Sequence, residues 1–291
     1  MQRSSLSRPE PGAGGRRVSG PPRLGAGEYA QIHAFLEERC GIRLGDGKEY
    51  LVSSRLGRLL ERQGLESYTA LIQQLQRPGG NDLQAAVVDA MTTNETFWFR
   101  DPAHYRILTE HILPAHGSGR LRIWSAACST GQEPYSLAMV LGDARRLGRA
   151  GIAPQVEILG TDISPTALGQ ARAARYCGMG GSRGLDQEQR RRYFRLDGDC
   201  LEVAPEYRRP VRFQELNLTR SFATLGRFDV VFCRNVLIYF SAERKRAIIE
   251  QMARLLPAGG HLFLGSTESL SGQGGLFEMV SLAGGLVYRR K

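Results

Sequence analysis

The chain has 291 residues, a formal net charge of +10, 42% hydrophobic residues and five cysteines. That length is enough for a large core and two domains. No run approaches the ~18 apolar residues of a membrane-spanning helix, and the Arg-containing N-terminus lacks the apolar segment of a secretory signal, so neither is expected.

The positive charge raises nucleic acid as a partner, but its distribution weakens that reading. Residues 1–27 hold five basic groups and one acidic, 28–100 hold eight and ten, and 101–291 hold 26 and 18. Residues 1–27 are rich in Pro, Gly and Arg and bury too little apolar surface to fold, so they are expected to form a disordered tail. Residues 28–90 read as a helical domain. Tyr29, Ile32, Phe35 and Leu36 mark one helix that ends before Gly41. A second covers about 47 to 63, with Val52, Leu56, Leu59 and Leu60 buried and Gly64 as its stop. Ser67 is the expected N-cap of a third, and Asn81-Asp82 of a fourth that runs through Val87, Val88 and Met91. On the second helix Lys48, Arg55, Arg58 and Arg62 fall within roughly an 80° arc beside the apolar face. A solvated helix face and a docking stripe for an acidic partner both account for that arc.

Residues 91–101, MTTNETFWFRD, link this domain to the rest. Their three consecutive aromatics are expected to plug the domain interface, and their polar groups to face a ligand. Residues 121–136, LRIWSAACSTGQEPYS, read as a buried strand, a tight turn of small residues and a helix start. Ala127, Ser129 and Gly131 occupy the three spaced turn positions where a dinucleotide site is glycine-rich. A glutamate at the helix start, Glu133, would repel a pyrophosphate. Both features argue against NAD and for a ligand with a cationic end, such as S-adenosylmethionine. A second strand ends at Asp162, placed to accept hydrogen bonds from a ribose, although capping the helix begun by Ser164-Pro165 is the plainer alternative.

Residues about 173–212 break the alternation of strand and helix. With short strands around 200–203 and 211–213, they read as an inserted helix and a small antiparallel β element. Asn217 and Leu218 follow the next strand, at the place of an adenine ring. Arg234 and Asn235 lie at the carboxyl end of the strand 230–233, where open α/β sheets bind ligands. Ser241 caps a further helix. A closing hairpin turns at Gly284-Gly285 and makes the last strand antiparallel, as in class I methyltransferases. Cys40, Cys128, Cys177, Cys200 and Cys233 are odd in number and never CxxC-spaced. Reduced thiols, a cytoplasmic location and no metal site are therefore expected.

In this order TTNETFWFRD, WSAACSTGQEPYS, LGTDIS, FCRNVLIYF and PAGGHLFLG closely resemble the chemotaxis receptor methyltransferases of the CheR type. The resemblance covers about 28–291. It implies an all-helical N-terminal domain before a class I methyltransferase Rossmann-like domain, 102–291, with an inserted β-subdomain. It also implies transfer of a methyl group from S-adenosylmethionine to glutamate side chains of chemoreceptors, leaving S-adenosylhomocysteine. Asn94, Thr96 and Arg100 would contact the cofactor from the linker, Glu133 its amino end and Asp162 its ribose. Asn217 and Leu218 would lie by the adenine, with Arg234 and Asn235 nearby. Arg100 and Tyr239 would stand nearest the transferred methyl. The expected partner is the acidic helical bundle of a receptor, met by a monomer that neither inserts in the membrane nor binds nucleic acid. A nucleic-acid methyltransferase and a non-catalytic S-adenosylmethionine sensor are the competing readings. The first lacks an NPPY-like motif for a flipped base.

Overall fold

In a computed structural model the chain is described over residues 22–77, 79–117, 119–148, 155–270 and 275–291. The expected tail 1–27 lies mostly outside these, but its last two residues already belong to a helix. Helices α1 (Ala26–Cys40), α2 (Glu49–Gln63), α3 (Tyr68–Leu75) and α4 (Asn81–Met91) share one core built on Leu36, Leu56, Leu71 and Val87. The left-handed residues Gly41 and Gly64 end the first two, and the Ser67 hydroxyl accepts the Ala70 N–H at the start of the third. The expected cap of α4 is corrected: Gly80 is the N-cap, Asn81 already lies in the helix, and no side chain caps it.

After the linker come α5 (Pro102–Ile107), a π-helical turn (Leu108–Ile112) and α6 (Leu113–His116). Then β1 (Arg120–Ala126), α7 (Gln132–Arg146), β2 (Gln155–Asp162) and α8 (Pro165–Ala173) alternate. The insertion holds β3 (Arg175–Cys177), α9 (Gly178–Gly181), α10 (Gln187–Tyr193), β4 (Phe194–Asp197), β5 (Cys200–Val203) and α11 (Pro205–Arg208). The chain ends with β6 (Val211–Glu215), β7 (Val230–Cys233), α12 (Ala242–Leu255), β8 (His261–Leu264), β9 (Phe277–Leu282) and β10 (Gly285–Arg290).

The main sheet has the order β6-β2-β1-β7-β8-β10-β9. Its first five strands are parallel, and β10 runs antiparallel to both neighbours. That is the class I methyltransferase arrangement expected from the closing hairpin. The hairpin turn is Ala283-Gly284, because Gly285 already pairs with Leu282. Apolar layers cover both faces: Ile123, Phe232 and Phe263 on one, Trp124, Val231 and Leu262 on the other. Buried on both sides, these strands read as continuous apolar runs.

The insertion forms a separate antiparallel sheet, β3-β5-β4. Residues 211–213, expected in that small element, instead belong to β6 and pair with β2 in the main sheet. The expectation of five free thiols is corrected as well. Cys177 and Cys200 stand directly opposite each other on β3 and β5 and are joined in a disulfide, leaving Cys40, Cys128 and Cys233 free and buried. The one cluster of metal-ligating atom types among the described residues is Cys177, Asp199 and Cys200, and its sulfurs are taken up in that bond. No helix among the described residues is long and apolar enough to cross a membrane.

Candidate functional site

Open α/β sheets bind ligands beyond the carboxyl ends of their strands. There the ends of β1, β2 and β7 meet the linker and the N-terminal domain around a cavity of about 240 Å³. Contacts from the helical domain close it. The Arg43 N–H donates to the Tyr239 carbonyl at 3.0 Å, Asn217 Nδ2 donates to the Arg39 carbonyl at 2.8 Å, and the Thr166 hydroxyl donates to Asp89 on α4 at 2.6 Å.

The turn after β1 shows why its residues are small. Ala127, Ser129 and Gly131 all have positive φ, at 56°, 52° and 93°. Left-handed residues at alternating positions turn backbone N–H groups toward one concave side. Gly131 is the position that admits no side chain: a Cβ would fall 2.8 Å from Ala171 Cβ and 3.1 Å from the Tyr176 hydroxyl. At Ala127 and Ser129 the strain is of order 1–3 kcal/mol each, which surrounding contacts must offset. One such contact is the Ser129 hydroxyl on the Asn94 carbonyl at 2.8 Å. Asn235 shares this positive φ and also lines the cavity, and Phe99 and Asp101, on either side of the cavity residue Arg100, share it as well.

Asp162 ends β2 and is 6% exposed. One carboxylate oxygen accepts the Ser129 N–H at 2.7 Å and the other the Ser164 N–H at 2.9 Å. Burial raises its pKa, against the lowering by those N–H groups. Asp162 is not itself the N-cap of α8, since the Ser164 hydroxyl accepts the Ala167 N–H at 3.0 Å. It ties the small-residue turn to the start of α8, and two of its ~4 acceptor sites remain.

Glu133 accepts the Ser125 hydroxyl and Arg234 Nη1, both at 2.7 Å. The Arg234 side chain is 2% exposed and also binds the Asp101 carboxylate at 2.5 Å and the Arg100 carbonyl at 2.8 Å. Burial alone would weaken the guanidinium's hold on its proton; Glu133 and Asp101 more than offset this and raise its pKa. Beside it, His104 is held neutral: burial first, and then the Arg234 charge, bring its pKa down to about 4.

In the linker, Trp98 packs edge-on against Tyr176 and Phe194 and donates from Nε1 to the Gly181 carbonyl at 2.8 Å. Phe99 lies against Tyr105 and Tyr193. The expectation that these two aromatics plug the domain interface is corrected: they pack into the methyltransferase core and its insertion, and neither belongs to the core of the helical domain. Phe97 faces the cavity, and its ring carries two guanidiniums, Arg100 at 5.2 Å and Arg183 at 4.9 Å. Arg183 also pairs with Glu95 at 2.5 Å, so the insertion grips the segment that carries Arg100.

The structure thus brings Asn94, Thr96, Arg100, Glu133, Asp162, Asn217, Leu218, Arg234, Asn235 and Tyr239 to one cavity wall. Lys48 lines it too. The side chains of Asn217 and Arg234 are committed to protein partners. The side-chain oxygen Oδ1 of Asn217 accepts the Thr219 N–H and hydroxyl. The stripe on α2 divides. Arg58 and Arg62 are exposed, but Arg55 is half-buried and donates to the Met91 carbonyl at 2.7 Å, the Thr92 carbonyl at 2.9 Å and the Thr93 hydroxyl. Its reading as a docking charge is corrected: it closes the C-terminus of α4 and anchors the linker. Sequence reasoning missed Ser125, Asp101 and Glu268. The last follows the end of β8, and the strand-end rule that singled out Asp162 and Asn235 points to it as well. A larger cavity of about 840 Å³, with Arg122, Arg145, Arg209 and Arg212 in its wall, lies at the β6 side of the sheet and contains none of these groups.

Residues 27–92 match the family described as "CheR methyltransferase, all-alpha domain", and 94–285 that described as "CheR methyltransferase, SAM binding domain". The chain belongs to the CheR methyltransferase family. It is 46% identical over 269 residues to "Chemotaxis protein methyltransferase 1" of Pseudomonas aeruginosa, covering 91% of this chain and 98% of that one. "Chemotaxis protein methyltransferase Cher2" of Pseudomonas putida is 44% identical over 91% of this chain and 98% of its own. "Chemotaxis protein methyltransferase 1" of Vibrio cholerae is 45% identical, at 91% and 97%. As a CheR family member the protein is a methyltransferase that uses S-adenosylmethionine, and the cavity lies between the strand ends of its S-adenosylmethionine-binding domain and the all-alpha domain.

Proposed function

We propose that the protein methylates glutamate side chains in the cytoplasmic helical region of chemoreceptors, giving glutamate methyl esters. The observation that carries this reading is the convergence of Arg100 and Tyr239 with Glu133 and Asp162 on one cavity wall. The donor set fits S-adenosylmethionine. Glu133 and Asp162 each accept two hydrogen bonds from the protein, which leaves acceptor sites for an amino group and for ribose hydroxyls. Asn94 and Thr96 hold the cofactor from the linker, Leu218 and the backbone at Asn217 flank its adenine, and Asn235 lies near. Arg234 acts one step back, by fixing Glu133.

The bound cofactor supplies a methyl group already activated on a sulfonium. A glutamate acceptor is ionised at neutral pH, with an unperturbed pKa near ~4.3. The protein's own residues therefore need to orient rather than to move protons, and orientation alone is worth roughly 7–11 kcal/mol of barrier. Arg100 and Tyr239 orient the acceptor carboxylate. Too tight a grip by Arg100 would stabilise the ground state and slow attack. Tyr239→Phe keeps the ring and removes the hydroxyl, so turnover should fall while the Kd for S-adenosylmethionine holds. A Kd that rises in step with the loss of rate would make Tyr239 a pocket wall instead. Between about pH 6.5 and 8.5 the rate should stay nearly flat, since the acceptor is already ionised.

Lys48, Arg58 and Arg62 are the exposed charges of the α2 stripe, offered to the acidic surface of the receptor. Each exposed charge contributes about 0–1 kcal/mol, and salt screens them. Arg58→Glu with Arg62→Glu is expected to raise KM for receptor about tenfold through encounter and register, with the Kd for S-adenosylmethionine unchanged. Arg55 is left out of this variant because losing it would loosen the linker. Steady-state kinetics on receptor-containing membranes decides; an unchanged KM makes the stripe an ordinary solvated face.

A further inference from the structure

Glu268 is the group of strongest geometry that the site as described leaves unused. It closes the turn after β8, its own N–H donating to the Gly265 carbonyl at 2.9 Å. Its carboxylate accepts three backbone N–H groups: Oε2 takes Asn235 at 2.7 Å and Gly265 at 2.8 Å, and Oε1 takes Leu237 at 2.8 Å. Hydrogen bonds to an ionised acceptor are roughly twice as strong as neutral ones. Two of the three donors belong to the loop after β7, which leads straight into the short 3-10 turn Leu237–Tyr239. That loop begins at a left-handed asparagine, Asn235, with φ 58°. Such a conformation persists only where its surroundings over-determine it, and Glu268 supplies that constraint. Gly265 leaves the room. A Cβ there would fall 2.6 Å from Asn235 Nδ2 and 2.8 Å from Glu268 Oε2. Asn235 and Tyr239 line the cavity, whereas Glu268 stands outside its wall.

We infer that Glu268 is a positioning residue for methyl transfer: its carboxylate fixes the backbone of residues 235–237 and so sets the Tyr239 hydroxyl for the acceptor. This rests on the reading of Tyr239 given above. In Glu268→Gln an NH2 group replaces one oxygen, so at least one backbone N–H faces a donor instead of an acceptor. The test uses the full chain, S-adenosylmethionine and chemoreceptor-containing membranes. It measures Kd for S-adenosylmethionine by calorimetry, and kcat and KM for Glu268→Gln, Tyr239→Phe and the double variant. The expected result for Glu268→Gln is a kcat about tenfold lower with Kd within about threefold of the parent. Adding Tyr239→Phe to it should cost less than about twofold more, since residues acting as a unit are not additive. Losses that multiply, or a normal kcat for Glu268→Gln beside a slow Tyr239→Phe, overturn this inference alone. A normal kcat for Tyr239→Phe overturns the reading it rests on and the inference with it. If Glu268→Gln does not fold, Gly265→Ala carries the same test, because its methyl would press on both the Asn235 side-chain amide and the Glu268 carboxylate and should give the same kcat loss.

Discussion

Asp162→Ala is expected to weaken binding of S-adenosylmethionine by about 10–100-fold, because charge-assisted hydrogen bonds are worth roughly 1.5–3 kcal/mol. The same carboxylate also closes the small-residue turn through the Ser129 and Ser164 N–H groups. Ser129 and Asp162 line the cavity, so water can enter the space the carboxylate leaves and satisfy the freed donors, and the chain should still fold. Calorimetry with a folded variant separates the two roles. An unchanged Kd would show that Asp162 serves the turn and the start of α8 only.

Arg234→Met should destabilise the protein by about 3 kcal/mol, at the low end for removing one partner of a buried ion pair. The low end applies because Asp101 is 29% exposed, although Glu133 is only 14% exposed. For a chain of this size the unfolding midpoint should fall by about 6–12 °C. Glu133 would lose its cation and Asp101 its anchor, so cofactor affinity should fall as well. Thermal unfolding checks the first effect. A midpoint within about 2 °C of the parent would mean that solvent already screens the pair.

Local signals were legible wherever the chemistry is local. The serines that cap α3, α8 and α12 each accept a backbone N–H three residues on. The spaced small residues 127, 129 and 131 are all left-handed. The terminal hairpin announced the antiparallel strand, and the motif residues meet at one cavity. Long-range partners were not legible. Helical periodicity puts Arg55 on a face with Arg58 but does not show that Met91, 36 residues away, takes its guanidinium. The Cys177–Cys200 bond depends on the register of β3 against β5, which no local pattern encodes. Arg234 looked like a ligand contact because it follows a strand; only the fold brings Glu133 and Asp101 to it. Glu268 holds donors 31 and 33 residues away, beyond any sequence window.

The central claim is the chemistry of the product. The protein should be incubated with S-adenosylmethionine labelled in its methyl group and with membranes carrying chemoreceptors, and the washed membranes then treated with alkali. A methyl ester is base-labile, so the label should sit on receptor and leave as volatile methanol. Label that resists alkali, or that is found on nucleic acid, would contradict the assignment.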